Sequence, residues 1–318
     1  MSDITVIVTE VINPAGILYL KDRGINVIEL PPGSTEETLD GLIADADGLI
    51  TRGSIAITRE LMVSSPRLKV VGVHGIGCDH VDLAAAKELG IVVCNTPDAV
   101  TVTVAEMAMA TTLALLRNVV SSDKAVRAGQ WKRKYRDLIG VELASMKVGI
   151  IGMGRIGKAT AVRMQAFGAN ISYWSRTRKP DLEKELEFKW MELDDLLKKS
   201  ELISLHIPAT PETRMIIDEG RIESMRDGVY IVNTARGKVI DEEALIKALQ
   251  SGKVKAAALD VFEKEPLSTD SLLCSLDNVI LTPHLSASNV AGMIRMAVQV
   301  AEGVLKTING GEPDNPVV

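Results

Sequence analysis

An arginine, a glutamate and a histidine stand in three short stretches of the last third of the chain: N-T-A-R-G (Asn233 to Gly237), L-D-V-F-E-K-E-P (Leu259 to Pro266) and T-P-H-L-S-A-S (Thr282 to Ser288). Together these three side chains suit the reduction of a carbonyl. Delivering a hydride to a carbonyl carbon requires a proton donor for the developing alkoxide, and an imidazole of pKa about 6.5 both gives and takes a proton near neutrality. His284 fits that role. A carboxylate bonded to the second ring nitrogen would fix the tautomer and favour the imidazolium, and Glu265 stands on the loop before His284. A guanidinium fork matches a substrate carboxylate in two parallel hydrogen bonds and polarises a neighbouring carbonyl, which is the role open to Arg236. The trio specifies a small 2-keto or 2-hydroxy acid. Taken singly, each member is as well read as a structural histidine or a surface charge; the combination carries the inference. His74, His80 and His206 have no metal-ligand spacing, and no metal is expected.

The hydride needs a carrier. Gly152-Met153-Gly154-Arg155-Ile156-Gly157 fits G-x-G-x-x-G, follows the apolar run V-G-I-I and precedes a helical pattern. That context places the glycines at a strand-to-helix turn, where backbone N–H groups and the helix dipole hold a pyrophosphate. Dinucleotide sites for NAD carry an Asp or Glu about 20 residues beyond the glycines, on the adenosine ribose. Here the next strand runs instead into Ser175-Arg176-Thr177-Arg178-Lys179, and the first acid, Asp181, follows Pro180. Hydroxyls and cations in place of the acid favour a 2′-phosphate, so NADP(H) is the expected cofactor and NAD(H) the alternative. Ser175 and Thr177 would donate to phosphate oxygens, and Arg176 would supply charge.

These residues need a scaffold that brings them to one edge. Short β-branched runs alternate with helix-length segments, the pattern of parallel strands joined by crossover helices, and the class is α/β. A first series of strands lies at 4–8, 26–30, 48–50, 69–73 and 91–94, with a helix over 35–45. After Asn95-Thr96-Pro97 a long helical pattern covers about 101–117, and Pro97 reads as a domain boundary. A second series lies at 147–151, 170–174, 202–205, 229–233, 255–259 and 278–281, before a terminal helix over about 287–308. Two doubly wound parallel sheets follow, with a cleft expected between the domains.

The 318 residues exceed what one core usually serves, which agrees with two domains. A net charge of -6 and 3% aromatic residues give neither a basic face for phosphates nor rings for bases, so no nucleic-acid partner is expected. Three cysteines without ligand spacing point to a reducing cytoplasm. The longest apolar stretch contains Glu106 and two threonines, so no membrane span is expected.

With those motifs assembled, the chain resembles the D-isomer-specific 2-hydroxyacid dehydrogenases along essentially its whole length. A further stretch, G-I-G-C-D-H-V-D-L-A-A-A-K-E-L-G-I-V-V-C-N-T-P, looks like the family's substrate-loop signature. The resemblance implies a homodimer with a flavodoxin-like substrate domain (1–98 and 288–318) that receives an inserted Rossmann-type dinucleotide domain (99–287). It implies that His284 is the acid/base, Glu265 its partner and Arg236 the carboxylate anchor, and that the amides of Ile76 and Gly77 hold the same carboxylate. Arg155, Ile156, His206, Pro208, Thr213, Thr234, Ala235 and Asp260, with Gly152, Gly154 and Gly157, match cofactor-contacting positions. Phosphoglycerate-oxidising relatives commonly carry an arginine where this chain has Val73, and many append a regulatory domain beyond the point where this chain ends. The turn S-Y-W-S-R-T-R-K-P resembles that of glyoxylate and hydroxypyruvate reductases. Reduction of glyoxylate or hydroxypyruvate to the D-2-hydroxy acid is therefore the expected activity. Arg52 keeps D-3-phosphoglycerate as an alternative, and a dinucleotide-sensing, corepressor-like binding protein is the alternative of another class.

Overall fold

The structure, a computed structural model, describes residues 4–318. The chain divides into two compact units, one formed by the residues up to Thr103 with Ala287–Val318, the other by Val104–Ser286. In the first, β1 (Thr5–Val8), β2 (Asn26–Glu29), β3 (Gly48–Thr51), β4 (Val70–Val73) and β5 (Val92–Cys94) form a parallel sheet in the order β2-β1-β3-β4-β5. β1, β3 and β4 are buried at every residue, so they read as continuous apolar runs, as strands covered on both faces must. One face carries a core of Ile7, Leu49 and Val71; the other packs Val6, Ile50 and Val70 on the terminal helix Val290–Ile308 through Ala297, Val300 and Val304. That helix lies close: a Cβ added at Gly72 would stand 2.6 Å from Val304 and 2.7 Å from Val300.

The second unit holds seven parallel strands, β6 (Lys147–Ile151), β7 (Asn170–Trp174), β8 (Lys189–Trp190), β9 (Leu202–Leu205), β10 (Val229–Asn233), β11 (Val254–Leu259) and β12 (Val279–Leu281). Their order is β12-β11-β10-β9-β6-β7-β8. The direction of winding reverses between β6 and β9, and a doubly wound sheet binds its ligands outside the carboxyl ends of the strands at such a switch point. Six of these strands are legible in the sequence. β8 is not, because two residues paired as Tyr173↔Trp190 and Ser172↔Lys189 are too short for periodicity.

The helix expected over 101–117 runs from Pro97 to Leu116. Pro97 is its first residue rather than a break before it, since proline's missing N–H goes unused in a first helical turn. The change of unit falls inside this helix, between Thr103 and Val104. It is long and apolar enough to cross a membrane, yet 61% of its most apolar window is buried inside the protein.

Candidate active site

His284, Glu265 and Arg236 follow β12, β11 and β10, neighbouring parallel strands whose carboxyl ends share one edge. The structure brings the first two into contact: His284 Nδ1 lies 2.6 Å from Glu265 Oε2, and the Phe262 amide donates to the other carboxylate oxygen at 3.0 Å. The Glu265 bond holds the His284 imidazole above its ordinary pKa, against partial burial and the Arg236 charge, which act the other way. Burial works against the Glu265 carboxylate, but its bonds from His284 and Phe262 outweigh it and keep the carboxyl below the usual range. Nδ1 is thereby committed to Glu265, which leaves Nε2 for a substrate. Half of the His284 side chain is exposed, as a group meeting a diffusing substrate must be.

Arg236 comes next to them through a backbone approach that only glycine allows. A Cβ on Gly237 would stand 1.9 Å from the carbonyl carbon of Phe262, so the N-T-A-R-G turn lies directly on the V-F-E loop. The turn is held from within by Asn233, whose side chain donates to the Arg236 carbonyl (2.9 Å) and accepts from the Ala235 amide (3.0 Å). The Arg236 guanidinium donates to the Ala235 carbonyl at 2.7 Å. Asn233 and Gly237 were not singled out in the sequence, although both sit inside the motif that marks Arg236.

The residues expected at a dinucleotide lie at the same edge. Gly152 follows β6 with φ +100°, and its missing Cβ leaves room for the His206 carbonyl, which would be 2.5 Å away. A Cβ on Gly157 would meet the Gly152 carbonyl oxygen at 1.9 Å, whereas nothing lies within 4 Å of one built on Gly154. Helix Arg155–Ala166 begins there without a side-chain cap, and the first turn of a helix is where backbone amides and the helix dipole favour an anion. Thr234 has a buried hydroxyl without a partner among the described residues. A glycine turn at the switch point and an orphaned hydroxyl at the same sheet edge fit a dinucleotide. Burial pushes the His206 imidazole down to about 4; as a neutral ring it bonds the Ser204 hydroxyl at 2.9 Å. Thr213 donates to the Pro208 carbonyl at 2.6 Å and closes the loop that follows β9.

The run after β7 is less uniform than its sequence suggests. The Ser175 hydroxyl donates to the Thr177 carbonyl (2.6 Å) instead of standing free as a donor. Arg178 pairs with Glu183 (2.6 and 2.8 Å) and lies over the Trp190 ring. Arg176 is exposed and makes no ion pair among the described residues. Asp260, expected at the cofactor, is 1% exposed and accepts hydrogen bonds from Thr282, Leu285 and Ser286 around His284.

In the first unit, the loop after β4 carries Ile76 and Gly77. Gly75 has φ +154°, which a side chain would disfavour; its carbonyl accepts from the Thr96 amide (2.8 Å), and the Ile76 carbonyl accepts from Asn95 (2.8 Å). No acceptor among the described residues engages the amides of Ile76 and Gly77. Val73, before the loop, is buried in the core. Arg52 donates to the Val11 carbonyl (2.8 Å), and the amides of Arg52, Gly53 and Ser54 all donate to the Glu10 carboxylate.

Residues 109–286 match the family model for the D-isomer specific 2-hydroxyacid dehydrogenase, NAD binding domain. The chain is 40% identical to the glyoxylate reductase of Thermococcus onnurineus over 97% of its own length and 94% of that protein. It is 37% identical to the D-3-phosphoglycerate dehydrogenase of Archaeoglobus fulgidus over 96% of its length, but spans only 57% of that protein. Among solved structures, it superposes with TM-score 0.88 and 30% identity on the NADPH-dependent glyoxylate/hydroxypyruvate reductase of Sinorhizobium meliloti in complex with NADP and malonate, covering 100% of this chain and 97% of that one.

Proposed function

The chain belongs to the D-isomer specific 2-hydroxyacid dehydrogenase family, and on that premise we propose that it reduces a small 2-keto acid, glyoxylate to glycolate or hydroxypyruvate to D-glycerate. The observation that carries the reading is the His284–Glu265 pair beside Arg236 at the edge that also bears the glycine turn. A bound nicotinamide dinucleotide supplies the hydride to the carbonyl carbon. His284, protonated through Glu265, gives its Nε2 proton to the oxygen that becomes the hydroxyl; in the reverse direction the neutral ring accepts it. Arg236 holds the substrate carboxylate in a bidentate fork and orients the carbonyl. The amides of Ile76 and Gly77, in the other unit, are a second anion-binding element of the same kind. We assign the substrate role to the discontinuous unit and the dinucleotide role to Val104–Ser286.

Two features weigh against a phosphorylated substrate. Val73 is buried where an arginine would be wanted, and Arg52 and its neighbouring amides are engaged by Val11 and Glu10. D-3-phosphoglycerate remains the second reading on the strength of the Archaeoglobus relative. For the cofactor we favour NADP(H), now resting on Arg176 rather than on the whole basic run, because Arg178 is held by Glu183. A homodimer in the cytoplasm completes the proposal; exposed Trp131, Tyr135 and Ile139 on one segment support the pairing.

The test is turnover of glyoxylate, hydroxypyruvate, phosphohydroxypyruvate and pyruvate with NADPH and with NADH, followed by dinucleotide oxidation. Glyoxylate or hydroxypyruvate with NADPH should give the highest kcat/KM, and Ser175→Asp with Arg176→Ala should turn the preference toward NADH. A wild type that favours NADH rejects the cofactor assignment alone. Tight dinucleotide binding without turnover of any acid favours the sensing protein.

A further inference from the structure

The loop after β4 contains two peptide units whose carbonyls are held and whose amides are not. The first, between Gly75 and Ile76, carries the Gly75 carbonyl, which accepts from the Thr96 amide at 2.8 Å and from the Thr96 hydroxyl at 3.1 Å. The second carries the Ile76 carbonyl, which accepts from the Asn95 side chain at 2.8 Å, with the Cys78 thiol at 3.7 Å. Both peptides are trans, and in a planar trans peptide the C=O and the N–H point in opposite directions. Capturing the two carbonyls therefore turns the amides of Ile76 and Gly77 the other way, where no acceptor among the described residues engages them. Thr96 is buried, so its hydroxyl has no water to compete with the Gly75 carbonyl.

Asn95 and Thr96 are themselves fastened from the far side. They continue β5, in which Cys94 stands opposite Gly72 of β4, so they run beside the loop. β5 is the edge strand of its sheet, and residues 315–318 lie antiparallel along its open side. The Val317 amide donates to the Val93 carbonyl (2.7 Å), the Val93 amide to the Val318 carbonyl (3.1 Å) and the Asn95 amide to the Asn315 carbonyl (3.2 Å). Val317 also packs on the core of Ile7, Leu49 and Val71, which anchors this strap by its side chain. We propose that Asn95 and Thr96 are positioning residues for substrate binding: they aim the amides of Ile76 and Gly77 at the substrate carboxylate, and the strap at 315–318 holds them in register. The assignment rests on the reading of those amides as an anion-binding element. It adds to the site two side chains and a segment distant in sequence, all acting through the loop.

The experiment compares Asn95→Ala, Thr96→Val and Val317→Pro with the wild type in KM and kcat on the best keto acid and in dinucleotide Kd. It adds the Kd of oxamate, an unreactive keto-acid isostere, at saturating dinucleotide, and the NMR signals of the Ile76 and Gly77 amides. In the wild type, oxamate should shift both amide signals. Asn95→Ala should raise KM and the oxamate Kd by roughly 10- to 100-fold, the scale of a hydrogen bond to a charged group, while kcat falls by a smaller factor and dinucleotide Kd stays unchanged. Thr96→Val keeps the amide donor and loses only the hydroxyl, and Val317→Pro removes one bond of the strap, so each should weaken oxamate by about 3- to 10-fold. In Val317→Pro the signals of Ile76 and Gly77 should move although the substitution lies across β5; unmoved signals there reject the part given to the strap. An unchanged oxamate Kd in Asn95→Ala, or a fall in kcat at unchanged KM, overturns the proposal. If thermal melting shows that Asn95→Ala does not fold, the other two variants decide, and a wild-type oxamate Kd in both rejects it. Oxamate that leaves both wild-type amide signals in place overturns it directly. Absent turnover of every keto acid by the wild type rejects the activity, whereas the oxamate and amide readouts need no turnover and judge the positioning alone.

Discussion

The Glu265–His284 pair does two things with one 2.6 Å bond: it commits Nδ1, and it holds the ring's pKa above the ordinary value. In the proposed reduction the protonated ring is the acid, so a raised pKa extends reduction toward alkaline pH. Glu265→Gln removes the anion, lowers that pKa and should move the alkaline limb of the kcat/KM profile for reduction to lower pH; an unmoved limb would deny the pairing any role in proton transfer. His284→Ala should lower kcat by roughly 10² to 10⁴, the usual span of general acid–base catalysis, with dinucleotide Kd unchanged. Arg236→Lys preserves charge and loses the planar fork, so both KM and kcat should worsen. Wild-type kcat/KM in the lysine variant would mean that the carboxylate is held elsewhere.

At the scale of elements, the sheet edges position the chemistry and the packing of the sheet sets its tolerance to acid. His74 follows β4 and is 5% exposed, and neither ring nitrogen has a hydrogen-bond partner among the described residues. Burial, reinforced by the Arg52 charge, pushes its pKa down to about 4. In the unfolded chain the same ring has a pKa of about 6.5, so the unfolded state binds the proton more readily and stability falls as pH drops from about 6.5 toward 4. The full effect is about 3 kcal/mol, at about 1.4 kcal/mol for each unit of pKa difference. His74→Leu should flatten this acid loss, read as the dependence of the urea midpoint on pH; His206, also pushed down to about 4, should keep part of the slope. An unchanged pH dependence would show that the wild-type ring is already protonated in the folded protein.

For the whole molecule, the segment after the long helix carries the most exposed large aromatic and aliphatic side chains of the second unit, with Trp131 at 63%, Tyr135 at 72% and Ile139 at 68%. Lys134 lies 5.3 Å from the Trp131 ring and 4.8 Å from that of Tyr135, so the rings are arranged rather than loose. Exposed apolar surface rimmed by charge is a usual mark of an interface. Sedimentation at micromolar concentration should give two chains, and Tyr135→Glu with Ile139→Glu should give one. A monomeric wild type would reject the pairing.

What the sequence determined by itself is what depends on near neighbours along the chain. Buried parallel strands declare themselves as apolar runs, and Gly152 and Gly157 mark a strand-to-helix turn because backbone sterics admit no other residue so cheaply. Arg236, Glu265 and His284 were legible because each stands just beyond such a run. Tertiary structure decided which strands became neighbours, and with that every bond between distant residues. The hydrogen bonds of the Thr282–Ser286 turn to Asp260, the Gly237 approach to Phe262, the Glu10 carboxylate in the Arg52 loop and the diversion of Arg178 to Glu183 all depend on that order. The start of the long helix at Pro97 and the two-residue β8 escaped for a related reason: packing extended or created elements whose local signals were too short to appear alone. A period of hydrophobic residues records which face of an element is buried, but not against what, and a hydrogen bond between turns forms only once the sheet has set them side by side.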